Sequence, residues 1–466
     1  MREKLWQAIK DQGWSELSHS KLEGARAARA GGIDTHGGIV KKIIFINRFF
    51  YPDISATSQL LTELSTLLSA QGQNIHIVTG RRLYDDKSRL LPKSETHQGV
   101  AIHRILTTTL GQYGLPGRAI DFIVFYLAAT ISLLFITRPG DILVAKTDPP
   151  MMSILVRVVG SLRRAKTINW LQDIFPEIAE QLGMLPRGYG IGNLIRGLRN
   201  WSLKYANANV VLGERMYKKL QTLGIPDNKI HIIHNWSNQN HIIPIPHHRN
   251  SLGKQWGLEG KFIVAYSGNM GRAHNFETIL HAAKKLNKFD NIRFLWIGGG
   301  IKRKAVQQQA RELGLSNFIF KGYQPREKLP ESLGVADLHL AVLSPNLEGL
   351  IVPSKFYSAA AAGRPILFVG DENGELSTII KAAGCGYSFT EGEGDKLAKS
   401  ILYLSRHPDV VKKMGNNARK AFERQYGLDT AAEKWLTLFK TIKASPRESF
   451  ISRSVSGAEK AQQARH

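Results

Sequence analysis

Short apolar runs alternate with stretches of helical spacing along most of this chain, and no other feature narrows the possible folds so far. Val40-Lys-Lys-Ile-Ile-Phe-Ile-Asn47 is an apolar run bounded by charge and a turn, the pattern of a buried strand. Residues 59–71 carry leucines at helical spacing (Leu60, Leu61, Leu64, Leu67, Leu68), and Asn74-Ile-His-Ile-Val-Thr79 reads as a second strand. Strand, helix and strand in so short a span make a crossover unit, which implies a parallel sheet. Asp141-Ile-Leu-Val-Ala-Lys146, Thr167-Ile-Asn-Trp-Leu-Gln172, Asn209-Val-Val-Leu212 and Ile230-His-Ile-Ile233 continue the pattern.

Ser237 to Asn250 is polar and broken by proline, and reads as a linker. Beyond it the alternation restarts with strands at Phe262-Ile-Val-Ala-Tyr-Ser267, Arg293-Phe-Leu-Trp-Ile297, Phe318-Ile-Phe-Lys321, Leu338-His-Leu-Ala-Val-Leu343 and Pro365-Ile-Leu-Phe-Val369. The expected fold class is therefore α/β, two doubly wound domains facing a cleft at the carboxyl ends of both sheets. We place the first at 41–245 and the second at 246–426, with a helix at 427–443 crossing back to the first. Residues 1–40 read as a loosely ordered extension without signal-peptide character, and 444–466 as a disordered tail.

Lys and Arg number 63 against 38 Asp and Glu, a formal net charge of +25. That excess favours anionic partners: nucleic acid, anionic lipid or phosphorylated substrates. A single cysteine, Cys385, forbids an intrachain disulfide and suits a reducing, cytosol-facing location. Residues 119–136 are nearly all apolar but include Asp121, at the margin of the roughly 20 residues a spanning helix needs. A buried crossover helix, a helix partly embedded in a membrane surface and a spanning helix all remain open. The positive charge supports the second, since each Lys or Arg near an anionic surface contributes about 1 kcal/mol.

Tyr266-Ser-Gly-Asn-Met-Gly-Arg272 sets two glycines directly after a strand and before a helix. N–H groups in such a turn suit a phosphate, and Arg272 adds a permanent charge; a plain tight turn is the alternative. Gly298-Gly-Gly300 follows a strand but lacks the dinucleotide spacing. After the last buried strand but one, Glu348 sits in a loop, and Pro353-Ser-Lys opens an Ala-rich helix that stops at Gly363. N–H groups between Val352 and Lys355 and the Lys355 ammonium converge there.

No Asp-x-Asp metal clamp is evident, and Asp85-Asp86 reads as an exposed loop pair. His231 with His234, and His247-His248, lack the ligands of a structural zinc site. Cys385 reads as an inert turn residue, and Lys284-Lys285 and Lys302-Arg-Lys304 as solvated helix faces.

Together with Phe50-Tyr-Pro-Asp, Lys146-Thr-Asp-Pro-Pro150, Gln172-Asp-Ile-Phe-Pro-Glu177, Val352-Pro-Ser-Lys355 and Ala362-Gly-Arg-Pro365, these motifs make the chain recognisable. It resembles the two-domain, GT-B type retaining glycosyltransferases of family four, nearest the branch that builds bacterial capsule, slime and O-antigen polysaccharides. The resemblance implies two Rossmann-like domains, a nucleotide-diphosphate sugar as donor and no cofactor or metal. It also implies a saccharide acceptor; the apolar stretch at 119–136 favours a lipid-linked one, with the protein expected in the cytoplasm, peripheral to the inner face of the cytoplasmic membrane.

By the same resemblance Glu348 stands for the first of two family acids, at the sugar, and Ser358 for the second, at the ribose. Asn269 and His274 occupy positions where relatives carry Arg and Lys, leaving Arg272 and Lys355 to grip the diphosphate. Gly268, Gly271, Val352, Pro353 and Ser354 complete the donor site. In the first domain Gln172 stands where relatives have His, and Asp173 orients the acceptor or accepts its proton. Ser55 and Thr57, in Ser55-Ala-Thr-Ser58, lie near diphosphate and acceptor. Cations and N–H groups aimed at the departing diphosphate are the main catalytic lever. A nucleotide-sugar epimerase would use the same cleft without an acceptor. A nucleic-acid-binding protein would explain the charge, but no basic–aromatic interleaving is present.

Overall fold

The computed structural model describes residues 41–444 apart from Asp85, Lys87 and residues 186–189. The extension, the tail and half of the Asp85-Asp86 pair therefore lie outside the described residues. The first sheet has eight strands in the order β3-β4-β2-β1-β5-β6-β7-β8. These are β1 Ile43–Ile46, β2 Ile75–Gly80, β3 Ser94–His97, β4 Val100–Ile105, β5 Ile142–Lys146, β6 Lys166–Trp170, β7 Ala208–Val211 and β8 Ile230–Ile232. The second has six, β11-β10-β9-β12-β13-β14. They run β9 Phe262–Ser267, β10 Ile292–Ile297, β11 Phe318–Lys321, β12 Leu338–Val342, β13 Ile366–Val369 and β14 Gly386–Phe389.

All neighbours pair in parallel except β3 with β4. That hairpin was not anticipated from the sequence. Ser-Glu-Thr-His offers no apolar run, because β3 is a solvent-facing edge; Gln98 and Gly99 turn the chain with φ of 48° and 79°. The strand β14 was not anticipated either, as its Gly-Tyr-Ser-Phe is short and half-exposed.

Central strands are buried on both faces, so successive residues serve different layers. Ile44 and Ile46 of β1 pack towards helices α2 (Leu115–Ile136) and α3 (Met152–Leu162). Ile43 and Phe45 face α1 (Ala56–Ala70) and the last helix of the described chain, residues 428–444. On α2 the stripe Asp121, Phe125, Ala129 and Leu133 is buried. Asp121 accepts from Thr108 Oγ1 (2.6 Å) and from the N–H groups of Leu110 and Gly111 (both 2.9 Å), which fixes the helix to the preceding turn. This helix is thus a crossover layer of the first domain. A spanning arrangement would pull that stripe out of the sheet's core.

The remaining helices used below are α4 (Ile191–Tyr205), α5 (Glu214–Thr222), α6 (Arg303–Glu312), α7 (Lys355–Ala361), α8 (Glu375–Ala383), α9 (Pro408–Gln425) and α10 (Leu428–Ala444). The chain leaves the first domain past Ser237 and returns past Gly427, and these two crossings pair with each other. One apolar cluster joins the domains, running from Val211, Met216 and Leu220 to Leu347, Phe356 and Phe422.

Trp435 of α10 is fully buried, with its ring 6.1 Å from Phe45 and 5.1 Å from Trp170. Removing so large a buried ring leaves a cavity, so Trp435→Ala is expected to lower unfolding free energy by about 3–5 kcal/mol. The exposed neighbour Lys434→Ala should stay within about 0.5 kcal/mol of the parent. Urea unfolding followed by Trp fluorescence checks both; equal stability of the two variants would refute the packing role of α10.

Candidate active site

Each sheet reverses its winding direction once, between β1 and β5 in the first and between β9 and β12 in the second. Such switch points open a crevice beyond the carboxyl ends of the strands, where polar groups converge. Two clusters occupy them.

At the second switch point the chain leaves β9 through Gly268, whose φ is 125°. That conformation strains any residue with a side chain, and the turn it makes lies beside Lys355, whose Cε is 3.4 Å from where a Cβ would stand. A Cβ on Gly300 would come 2.3 Å from Asn269 Oδ1. The Gly298-Gly-Gly300 triplet therefore lets two turns press on each other, and this packing accounts for it.

His274 Nδ1–H donates to the Val342 carbonyl (2.8 Å), which leaves the Nε2 lone pair facing Lys355 Nζ at 3.5 Å. Burial, then the neighbouring Lys355 charge, pushes the His274 pKa down to about 3, so the ring is neutral. Lys355 also lies 4.8 Å over the Tyr266 ring, and burial pushes its pKa down to about 8. No carboxylate pairs with it among the described residues.

Lys302 Nζ donates to the His274 carbonyl and Arg303 to the Gly298 carbonyl, both at 2.6 Å. These two residues, read from the sequence as solvated, in fact brace the site's turns. Only Lys304 of that trio is exposed.

Not every expected residue joins Lys355. Gly271 and Asn269 form the turn, whose Asn269 carbonyl accepts from Tyr266 Oη (2.9 Å). Arg272 stands exposed, with no side-chain ion pair or hydrogen bond among the described residues. Val352 and Pro353 are buried, Ser354 is exposed, and Ser358 Oγ donates to the Lys355 carbonyl (3.2 Å). The helix α7 has seven residues, so its dipole is short and the ammonium dominates. Glu348, expected at the sugar, lies on the loop after β12 and is held towards the second domain's α8. Its Oε1 accepts the Glu375 N–H (2.8 Å) at the start of α8, and burial raises its pKa.

At the first switch point Lys146, 1% exposed, donates to the Thr57 carbonyl (2.7 Å) and lies 4.0 Å over the Trp170 ring. Burial pushes its pKa down to about 7. Burial lifts Asp148 to about 6, opposed by Arg48 and Lys146. Burial and then Asp148 lift Asp173 to about 7. Ser55 caps α1 through its backbone, and its Oγ is buried without a partner. Ser58 and Thr57 belong to α1, which starts three residues earlier than the leucine spacing indicated. Gln172 and Asn235 exchange two side-chain amide hydrogen bonds, each N–H donating to the other's oxygen at 3.1 Å.

The two clusters meet where the loop after β12 crosses to the first domain. Asp173 bridges Ile351 through its backbone, and Ile174 N–H donates to Leu350 O (3.0 Å). Lys146 and Asp148 had no role in the sequence reading, although their motif was conspicuous. A lysine ending an otherwise apolar strand, followed by an acid two residues on, was the available signal. Among the described residues no group of three or more His, Cys, Asp or Glu could hold a metal ion. Cys385 is buried with its thiol pushed up to about 11, which makes it inert.

An unpaired cation facing a glycine turn, opposite carboxyls poised near neutrality, suits transfer of a group from a phosphate leaving group. Residues 249–421, which hold the whole Lys355 cluster, match the family model Glycosyl transferases group 1. The chain is a glycosyltransferase. It is 26% identical over 309 residues to "Probable glycosyltransferase WbjE" of Pseudomonas aeruginosa, covering 66% of this chain and 76% of that one. It is 22% identical over 353 residues to "Putative colanic acid biosynthesis glycosyl transferase WcaI" of Escherichia coli strain K12, covering 73% and 86%. Anabaena Alr3699/HepE, solved in complex with UDP-glucose, matches with a TM-score of 0.65 at 15% identity, over 86% of this chain and 99% of that one. At that identity the likeness establishes the GT-B fold.

Asp173 gives the glycosyltransferase a pH signature. An unfolded Asp titrates near 3.9, whereas the folded one holds its proton to about 7. Stability from this group is full below about 4 and is lost as pH rises towards 7. Asp173→Asn should therefore gain on the parent in melting temperature between pH 5 and pH 8. Turnover should fall about 100-fold or more if this carboxylate moves the acceptor proton. A pH-independent difference in melting temperature would refute the buried-carboxyl assignment.

Proposed function

We propose that this glycosyltransferase moves a sugar from a nucleotide-diphosphate donor to a lipid-linked saccharide at an anionic membrane surface, with retention at the anomeric carbon and without a metal. The observation that carries the donor assignment is Lys355, a half-buried ammonium with only neutral neighbours. A cation withdrawn from water and left unpaired is costly, and a diphosphate supplies the missing charge. The turn Gly268–Gly271 offers N–H groups beside it, and Anabaena Alr3699/HepE binds UDP-glucose on the same fold.

As the sugar–phosphate bond breaks, negative charge grows on the leaving diphosphate and Lys355 stabilises it. Asp173, whose backbone pairs with Ile351, orients the acceptor hydroxyl and takes its proton in this reading, supported by its raised pKa. Lys146 holds the Thr57 carbonyl and so sets the first turn of α1.

Membrane attachment rests on the outer face of α2. Opposite its buried stripe, Ile120, Ile123, Leu127, Ile131 and Phe135 form an exposed apolar ridge, Phe135 at 83% exposure. Leu162 of α3 and Leu194 of α4 extend the apolar surface, and Arg118, Arg138 and Arg164 stand exposed around it. Apolar residues ringed by cations suit shallow immersion in an anionic leaflet. A lipid-linked acceptor would be reached from that position.

Lys355→Met should cut nucleotide-sugar turnover about 100-fold or more, while excess EDTA leaves the parent's turnover unchanged. Metal-dependent activity, or a fully active Lys355→Met, overturns the donor reading. Separately, Ile131→Asp with Phe135→Asp should abolish co-flotation with phosphatidylglycerol vesicles while the melting temperature stays constant. Unchanged flotation overturns the membrane reading.

A further inference from the structure

A large cavity lies away from the residues of both switch points. It holds about 800 Å³ between α5 of the first domain and α8 and α9 of the second, beside Tyr426 at the return crossing. Four cations line it. Arg215 and Lys218, three apart, share one face of α5, and Lys420 and Arg424, four apart, share one face of α9.

None of the four side chains forms an ion pair among the described residues. On the same α9, Arg419 does pair with Glu423 (2.6 Å). Two carboxylates also reach the wall, Glu214 and Glu375. Glu375 is buried and already occupied, accepting the Arg215 N–H (2.9 Å). Like charges gathered around an open space repel, and a concave, positively lined wall concentrates anions. Guanidinium forks match phosphate oxygens two at a time. The volume falls within the roughly 300–1,000 Å³ of small-molecule sites, more than a single phosphate fills.

We propose that this cavity binds a small anion carrying two or more phosphate groups, at a site separate from the one at Lys355. Its walls come from both domains, so such an anion ties α5 to α9 across the junction.

The probe is inorganic tripolyphosphate, titrated calorimetrically into the full chain at fixed ionic strength. Lys420→Ala with Arg424→Ala should weaken saturable binding about tenfold or more. Lys218→Ala, on the opposite wall and exposed, should weaken it too, which guards against a folding defect in the double variant. Lys412→Ala with Lys413→Ala, a charge-matched change at exposed positions of α9, should stay within about twofold of the parent, and Lys355→Met, which removes the probe's rival site at the donor turn, should keep the cavity's saturable binding. Three results would overturn the proposal: no saturable binding, equal weakening by the control pair, or loss of binding in Lys355→Met alone.

Discussion

Parallel strands buried on both faces leave the chain few places to put polar chemistry. Every backbone group inside the two sheets is used in the ladders, and side chains on both faces are taken by helix packing. What remains is the carboxyl end of each strand, and most of all the point where winding reverses. Lys146 and Asp148 stand at one such point, Gly268 and His274 at the other. Lys355 reaches the second from the loop beyond β12. The site therefore follows from topology before any side chain is chosen.

The junction between the domains has to place these two points opposite each other. An apolar cluster running through both domains supplies the adhesion, and α10 returns to complete the first sheet's outer layer. Polar contacts then set the registration. Glu348 caps α8, Glu375 at the head of α8 accepts from the N–H of Arg215 near the start of α5, and Asp173 pairs with Ile351. A carboxylate at a helix start satisfies an N–H that would otherwise be orphaned and faces the positive end of the dipole. Glu348 thus ties the loop after β12 to the start of α8.

The strand–helix alternation made the class and most central strands legible, because burial on both faces forces uninterrupted apolar runs such as Ile43–Ile46 and Leu338–Val342. Edges were not legible: β3 needs only ladder bonds and turn geometry, and Ser-Glu-Thr-His carries neither signal. The glycine turn and Lys355 could be seen because their types are unusual where they stand. The roles of Lys302 and Glu348 could not, since both depend on which carbonyl or N–H tertiary packing brings near. The apolar stretch at 119–136 was ambiguous for a similar reason. Its two faces have the same composition, and only the position of Asp121 in a hydrogen-bonded turn decides which one looks inward.

Two lysines with depressed pKa values show how context separates structure from chemistry. Lys146 is closed off, bonded to a carbonyl and stacked on Trp170, and its pKa of about 7 leaves much of it uncharged near neutrality. Its partners are already satisfied, so it holds a helix start in place. Lys355, near 8, is less enclosed and stays mostly charged at neutral pH, yet its only neighbours are a neutral imidazole and a ring face. His274 stays neutral because burial, then the Lys355 charge, holds its pKa down, while the Val342 carbonyl fixes its tautomer and turns the lone pair towards the ammonium. An arriving diphosphate would raise the Lys355 pKa again, since an opposite charge favours the protonated form. Protonation and donor binding are therefore linked at this one residue. With a neutral histidine beside it, Lys355 is the focus of that linkage.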